Sequence, residues 1–247
     1  MKPFFQSNGI TIYHADCRAV LPRLPASSID AVITDPPYGI GYQSAQRKLR
    51  PDLPTSVTGD ESLNSLRDSL PMIDQALKAD RHAYVFAAPM RIGEAVDAVA
   101  EYWRVKNVLV WDKGNAGSKG DCLAGYSLNW EAIVYANKGR RPLYGKRPRC
   151  IYRYDWQAWR DPVHPTVKPE AIMQWLMQKS SEAGELVLDP FMGSGVTLLA
   201  AAALGRRAIG IELEERYCEV AAERLSERFS GRDAKIPPQN QQSPRNS

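Results

Sequence analysis

Short apolar runs alternate with longer amphipathic segments along most of this chain, and that alternation leaves few folds open to it. ITIYHAD (10–16), DAVITD (30–35), HAYVFAA (82–88), VKNVLVWD, WEAIVYAN, ELVLDP and RAIGIE read as strands. Between and after them, CRAVLPRL, SLNSLRDSLPMIDQALKA, RIGEAVDAVAEYW, KPEAIMQWLMQKSS, GVTLLAAAALG and ERYCEVAAERLSERF read as helices. Pro71 is expected to kink or divide the second of these, because proline lacks the N–H an interior helical position donates. Pro169 and Glu170 suit a first turn, and Gly205 marks a helix end. Strands alternating with helices of this length imply an α/β fold, with a mostly parallel sheet covered on both faces.

At 247 residues the chain fits one large domain, expected over residues 1–230, and an apolar share of 44% is enough for a real core. Two stretches break the rhythm. Residues 41–62 are polar, basic and proline-interrupted and read as a long loop. Residues 231–247 have almost no apolar content and read as a disordered tail. A formal charge of +4 identifies no partner, but its distribution is informative: Lys138, Arg140, Arg141, Lys146, Arg147, Arg149 and Arg153 follow one another with no acid among them. Cys17, Cys122, Cys150 and Cys218 form no CxxC pair and only three histidines are present, which argues against a disulfide framework or a zinc site and for a reducing cytoplasm. No apolar run reaches membrane-span length, and MKPFFQSNGI lacks the apolar core of an export signal.

TDPPYG (34–39) ends one of the strands abruptly. Two prolines cannot continue a β-ladder, so the strand stops with a carboxylate (Asp35), a rigid proline pair and an aromatic ring (Tyr38) at its end.

A second strand end carries a glycine turn. In ELVLDPFMGSGVTLLAAAALG a strand runs through Asp189, Pro190 and Phe191 into Gly193, Ser194 and Gly195, and a helix follows. Glycines there let the backbone approach a ligand, and the helix start offers unpaired N–H groups. The dinucleotide fingerprint G-x-G-x-x-G is not met, because Leu198 stands where its third glycine would be. Glu212 ends the next strand, about 20 residues on, where such folds hold a ribose through its hydroxyls. The pattern favours a nucleoside-containing cofactor and leaves open whether it is a nicotinamide nucleotide or S-adenosylmethionine.

Together these motifs resemble the DNA amino-methyltransferases, which modify the exocyclic amines of adenine (N6) or cytosine (N4). TDPPYG is similar to their catalytic motif, LDPFMGSGVT to their S-adenosylmethionine motif, and HPTVKPEAIM (164–173) to the segment that closes over the methionine end of the cofactor. HADCRAVLPRLPASSIDAVITDPPYG is similar to the family's approach to the catalytic loop, in which an Asp-Cys pair (here Asp16 and Cys17) lies beside the cofactor's adenine. The catalytic motif precedes the cofactor motif, the permuted order of the family's β group. The resemblance covers roughly residues 10–40 and 82–225.

The resemblance implies a doubly wound, Rossmann-like methyltransferase fold with S-adenosylmethionine as cofactor and no metal. Asp35, Pro36, Pro37 and Tyr38 would be catalytic. The Asp35 carboxylate and Pro36 carbonyl would draw the target NH2 toward tetrahedral geometry, and Tyr38 would stack on a base flipped from the duplex. Asp16, Cys17, Asp35, His164, Thr166, Lys168, Asp189, Pro190, Phe191, Gly193, Ser194, Gly195 and Glu212 would hold the cofactor. Asp rather than Ser at the head of the catalytic motif resembles the adenine-N6 enzymes, with cytosine-N4 as the alternative. A non-catalytic DNA-binding protein on the same scaffold is the reading from another class.

Double-stranded DNA is the partner this reading implies. The basic stretch at 138–162, interleaved with Tyr144, Tyr152, Tyr154, Trp156 and Trp159, lies where the family carries its target-recognition region. Its Lys138, Arg140, Arg141, Lys146, Arg147 and Arg149, with Arg47, Lys48 and Arg50 of the 41–62 loop, are the candidate DNA contacts. The region is short, so either a brief recognition sequence or a homodimer is expected; a partner restriction endonuclease is compatible with the resemblance.

Overall fold

The computed structural model describes residues 1–39, 62–114, 124–126, 128–154 and 168–231. Its strands are β1 (Phe5–Ser7), β2 (Ile10–His14), β3 (Ile29–Thr34), β4 (Leu77–Ala87), β5 (Arg104–Asp112), β6 (Trp130–Lys138), β7 (Ile151–Arg153), β8 (Leu186–Asp189) and β9 (Arg207–Glu212). They form one sheet in the order β1-β2-β9-β8-β3-β4-β6-β5-β7. From β2 through β9, β8 and β3 to β4 every pairing is parallel. β6 runs antiparallel to both β4 and β5, β1 adds antiparallel to β2, and β7 adds parallel to β5. The sheet is therefore mixed and mostly parallel, as the alternating pattern implied.

Among the described residues six α-helices cover it: α1 (Cys17–Val20), α2 (Asn64–Ala76), α3 (Ile92–Ala100), α4 (Glu170–Ser180), α5 (Val196–Ala203) and α6 (Glu215–Phe229). Successive side chains of a strand point to opposite faces, and here they feed two cores. Ile33 and Phe86 pack with Ile172, Leu198 and Leu225 of α4, α5 and α6. Val32 and Val85 pack with Val20, Leu70 and Val99 of α1, α2 and α3. Every residue of β3 is buried, its apolar Ile29, Ala31, Val32 and Ile33 on both faces of the sheet, with Asp30 and Thr34 as the polar exceptions. Each large apolar side chain among these contributes about 1.5–3 kcal/mol by leaving water.

One helix stays undivided at a proline, and one helix boundary needs correction. Helix α2 runs through Pro71 without dividing. Pro71 and Arg67, whose carbonyl loses its donor, both lie on the exposed side, where water can substitute. The same helix ends at Ala76, and Leu77, Lys78 and Ala79, expected to be helical, already belong to β4. Pairing of Leu77 with Ile29 and the bond from Lys78 Nζ to Asp30 Oδ1 (2.6 Å) hold that stretch in the sheet. β1 and β7, three residues each, had no signal long enough to read.

The connections decide where a ligand can enter. After β3 the chain crosses to β4 on one side, and after β8 it crosses to β9 on the other. Such a reversal opens a crevice at the carboxyl ends of the two strands. β3 and β8 are cross-tied at both ends. The Leu186 N–H donates to Asp30 Oδ2 (3.0 Å) at one end, and the Thr34 hydroxyl donates to Asp189 Oδ1 (2.9 Å) at the other.

Candidate active site

Both motifs sit on the rim of this crevice, TDPPYG after β3 and the glycine turn after β8. Asp189 is almost wholly buried between them and also accepts from the Phe191 N–H at 3.1 Å. Burial pushes its carboxyl up to about 7 despite these donors. Pro190 is buried behind it, and Phe191 packs on the core on the α1–α3 side.

The two glycines of the turn face different surroundings. Gly195 has φ +80°, and a Cβ there would lie 2.7 Å from the Ala221 Cβ, so α6 closes that side. Gly193 has φ +51°, and a Cβ there would meet nothing within 4 Å. Its backbone thus borders open space at the start of α5, while its N–H donates to Glu212 Oε2 at 2.9 Å. Ser194 is turned inward, its hydroxyl accepting from Arg224 Nη1 at 3.3 Å.

Glu212, at the end of β9, is paired across the sheet with His14, so the residues following β2 stand beside it. Its other oxygen accepts from the Glu214 N–H at 2.8 Å, and burial raises its pKa. Asp16 caps α1, accepting from the Arg18 N–H, and the Arg18 guanidinium holds its carboxyl below the usual range. Burial pushes the Cys17 thiol up to about 12, so it is a packing group and not a nucleophile. Asp16, Cys17, Gly193 and Glu212 therefore come together at the carboxyl ends of β2, β8 and β9.

On the β3 side Pro36 is buried and Asp35 half-buried. Gly39 ends the motif with φ +69°, and a Cβ there would lie 2.7 Å from the Ser62 backbone carbon, so only glycine fits this turn. The Tyr38 hydroxyl donates to Asp35 Oδ1 at 2.5 Å, with Glu131 Oε2 standing 3.2 Å away as a second acceptor for the same proton. Lys168 Nζ donates to Asp35 Oδ2 at 2.6 Å, stands 3.2 Å from Glu131 Oε2, and lies 5.4 Å from the centre of the Tyr38 ring. Lys113 Nζ donates to Glu131 Oε1 at 2.6 Å.

Two carboxylates, two ammoniums and one hydroxyl thus share a largely buried network. Burial alone would push the Lys168 ammonium down, but Asp35 and Glu131 outweigh it and hold its pKa above the ordinary lysine range. Burial would likewise raise Glu131, and Lys168 and Lys113 outweigh it and hold that carboxyl below its usual value. Burial, with the two carboxylates alongside, raises the Tyr38 hydroxyl well above its ordinary value, so it stays a proton donor. The chemistry available at this rim is hydrogen-bond acceptance by a held carboxylate beside an aromatic ring, with an open glycine turn next to it.

Lys168 was expected at the cofactor, and its ammonium bonds to Asp35, another residue of that expected set. Glu131 and Lys113 were not foreseen. An acid in the second position of WEAIVYAN, ahead of the apolar run AIVYA, was the available signal for Glu131.

The basic segment divides in two. Lys138 donates to the Asp74 and Leu77 carbonyls and pairs with Asp74. Arg141, its side chain 11% exposed, pairs with Glu185. Both side chains, expected as DNA contacts, are thus engaged within the fold. Arg140, Lys146, Arg147 and Arg149 are exposed. Arg47, Lys48, Arg50, His164 and Thr166 lie outside the described residues. Among the described residues no group of three or more His, Cys, Asp or Glu could hold a metal ion, and no helix is long and apolar enough to cross a membrane.

A family model described as DNA methylase matches residues 29–223. The chain is 28% identical over 253 residues to the DNA adenine methyltransferase YhdJ of Escherichia coli (strain K12), covering 90% of this chain and 84% of that one. It is 27% identical over 255 residues to the type II methyltransferase M2.DpnII of Streptococcus pneumoniae, covering 91% and 92%. Among solved structures it is similar to M1.HpyAVI in complex with S-adenosylmethionine, with a TM-score of 0.64 and 27% identity, over 87% of this chain and 100% of that one.

Proposed function

The chain belongs to the DNA methylase family that acts on exocyclic N6 or N4 amines, and from that premise we propose that it methylates the N6 of adenine in DNA, on a base flipped out of the duplex. S-adenosylmethionine is the cofactor, and when bound it supplies an electrophilic sulfonium methyl group. The observation that carries the reading is the Thr34–Asp189 bond, which fixes the ends of β3 and β8 side by side and so sets Asp35 beside the glycine turn. Adenine is favoured by the Asp-headed motif and by the relative named an adenine methyltransferase.

The open backbone at Gly193 fits a ligand that must approach closely, and Gly193, Asp16 and Glu212 would hold the cofactor's nucleoside part. Asp35 accepts a hydrogen bond from the target NH2, and the Pro36 carbonyl accepts the other. Both draw the nitrogen lone pair out of the ring, leaving it free for the methyl carbon. Proline's fixed φ keeps that carbonyl in place without a competing donor. Asp35 also stabilises the positive charge that develops on nitrogen, a contribution of positioning and charge placement. Tyr38 stacks on the extruded base, which offsets roughly 1–3 kcal/mol of the cost of flipping. Arg140, Lys146, Arg147 and Arg149 contact phosphates.

The test is transfer of labelled methyl from S-adenosylmethionine into unmethylated duplex DNA, followed by nucleoside analysis, with Asp35→Ala as control. Label in N6-methyladenine, lost in the control, is the expected result. Label in N4-methylcytosine alone would reassign the base, and no label from the native protein would sink the reading.

A further inference from the structure

Both donors that occupy Asp35 have a second acceptor, and it is the same atom. Tyr38 Oη and Lys168 Nζ bond to Asp35 at 2.5 and 2.6 Å, and each stands 3.2 Å from Glu131 Oε2. This matters because a carboxylate already drawn by an ammonium and a phenol is a poorer acceptor for an incoming amine. Glu131 is also built to receive them. Its side chain is 15% exposed, it stands in β6 opposite Trp111 of β5, and Lys113 Nζ fixes its other oxygen at 2.6 Å. Such an acceptor is preorganised by its neighbours and needs no rearrangement of its own.

We propose that Glu131 is a positioning residue for methyl transfer: it takes the Lys168 ammonium and the Tyr38 hydroxyl from Asp35 when the target amine engages that carboxylate. No covalent bond changes in this step. Two hydrogen bonds move from Asp35 to Glu131 Oε2, every proton stays on its donor, and the net charge of the cluster is unaltered. The ammonium remains between the two carboxylates throughout, so no buried charge loses its partner. The inference rests on the methyltransferase reading above.

The experiment is single-turnover methyl transfer into unmethylated duplex DNA at saturating S-adenosylmethionine, with cofactor and DNA affinities measured in parallel. Glu131→Gln keeps the shape and removes the charge that draws Lys168. It is expected to slow the turnover by about tenfold or more while both affinities stay within about threefold. On a Lys168→Met background the same substitution should cost much less, because no ammonium is left to be drawn away. A native rate from Glu131→Gln, a loss confined to the affinities, or an equal loss on both backgrounds would overturn the proposal. Should Glu131→Gln fail to fold, Glu131→Asp carries the test: it keeps the charge but withdraws the acceptor from both donors, and native turnover from it would be equally fatal. Absence of transfer by the native protein would instead strike the methyltransferase reading itself.

Discussion

The Thr34 hydroxyl donates to the Asp189 carboxylate at 2.9 Å, joining residues 155 positions apart in the chain. It is the bond that turns two separate strand ends into one site. Thr34→Val keeps the shape and deletes the donor, leaving a buried carboxylate short of a partner. The expected cost is about 1–3 kcal/mol. For a domain of this size that is a fall of roughly 2–4 °C in Tm for each kcal/mol. Thermal unfolding of the purified variant checks it, and an unchanged Tm would mean the bond contributes nothing.

Asp189 itself should leave a mark on the pH dependence of stability. Burial raises its carboxyl to about 7 in the fold, against about 3.9 in the unfolded chain. Raised in this sense, the group contributes stability that is complete below about pH 4 and is lost as pH rises through about 7. Native protein should therefore gain on Asp189→Asn, whose amide does not titrate, as pH is lowered from about 8 to about 5, by at most about 1.4 kcal/mol per unit. Paired denaturant titrations across that range measure it; a constant difference would show that Asp189 ionises normally.

The glycines of the turn should separate folding from binding. Gly195→Ala forces a Cβ to 2.7 Å from that of Ala221 at φ +80°, so it should lower Tm clearly. Gly193→Ala meets open space, so its folding penalty should be only the left-handed backbone, about 1–2 kcal/mol. Its main effect should be weaker binding of S-adenosylmethionine, read by calorimetry. Equal affinity in Gly193→Ala and native protein would remove the turn from the cofactor site.

Within the basic segment the two groups of cations should behave differently. Arg140, Lys146, Arg147 and Arg149, replaced together by Ala, should weaken DNA binding and flatten its salt dependence, by up to about 0.9 in the log–log slope for each phosphate that is no longer neutralised. Lys138→Met and Arg141→Met should leave that slope alone and lower Tm, since their cations are spent on Asp74 and Glu185. DNA titrations over a range of salt concentrations, set beside melting curves, distinguish the two outcomes.

The elements nearest the candidate site were legible because their signals are local. The glycine turn, the buried run before it and the helix after it lie within 21 consecutive residues of ELVLDPFMGSGVTLLAAAALG. ERYCEVAAERLSERF coincides with α6, where apolar spacing and burial agree. The α2–β4 boundary was misread for the opposite reason: Leu77, Lys78 and Ala79 have helix-compatible side chains, and it is Ile29 and Asp30, far back in the chain, that pull them into the sheet.

The α/β alternation, the strand that stops at Asp35 and the glycine turn that follows Asp189 are set locally, because proline's missing N–H and glycine's backbone freedom act on their own residues. Which cations face outward and what surrounds Asp35 follow instead from packing between distant segments. Lys168 stands 133 positions from Asp35 and Glu131 stands 93 from Tyr38. Their meeting depends on the order in which strands pair, and strand order is set by burial over the whole sheet rather than by any short stretch of chain.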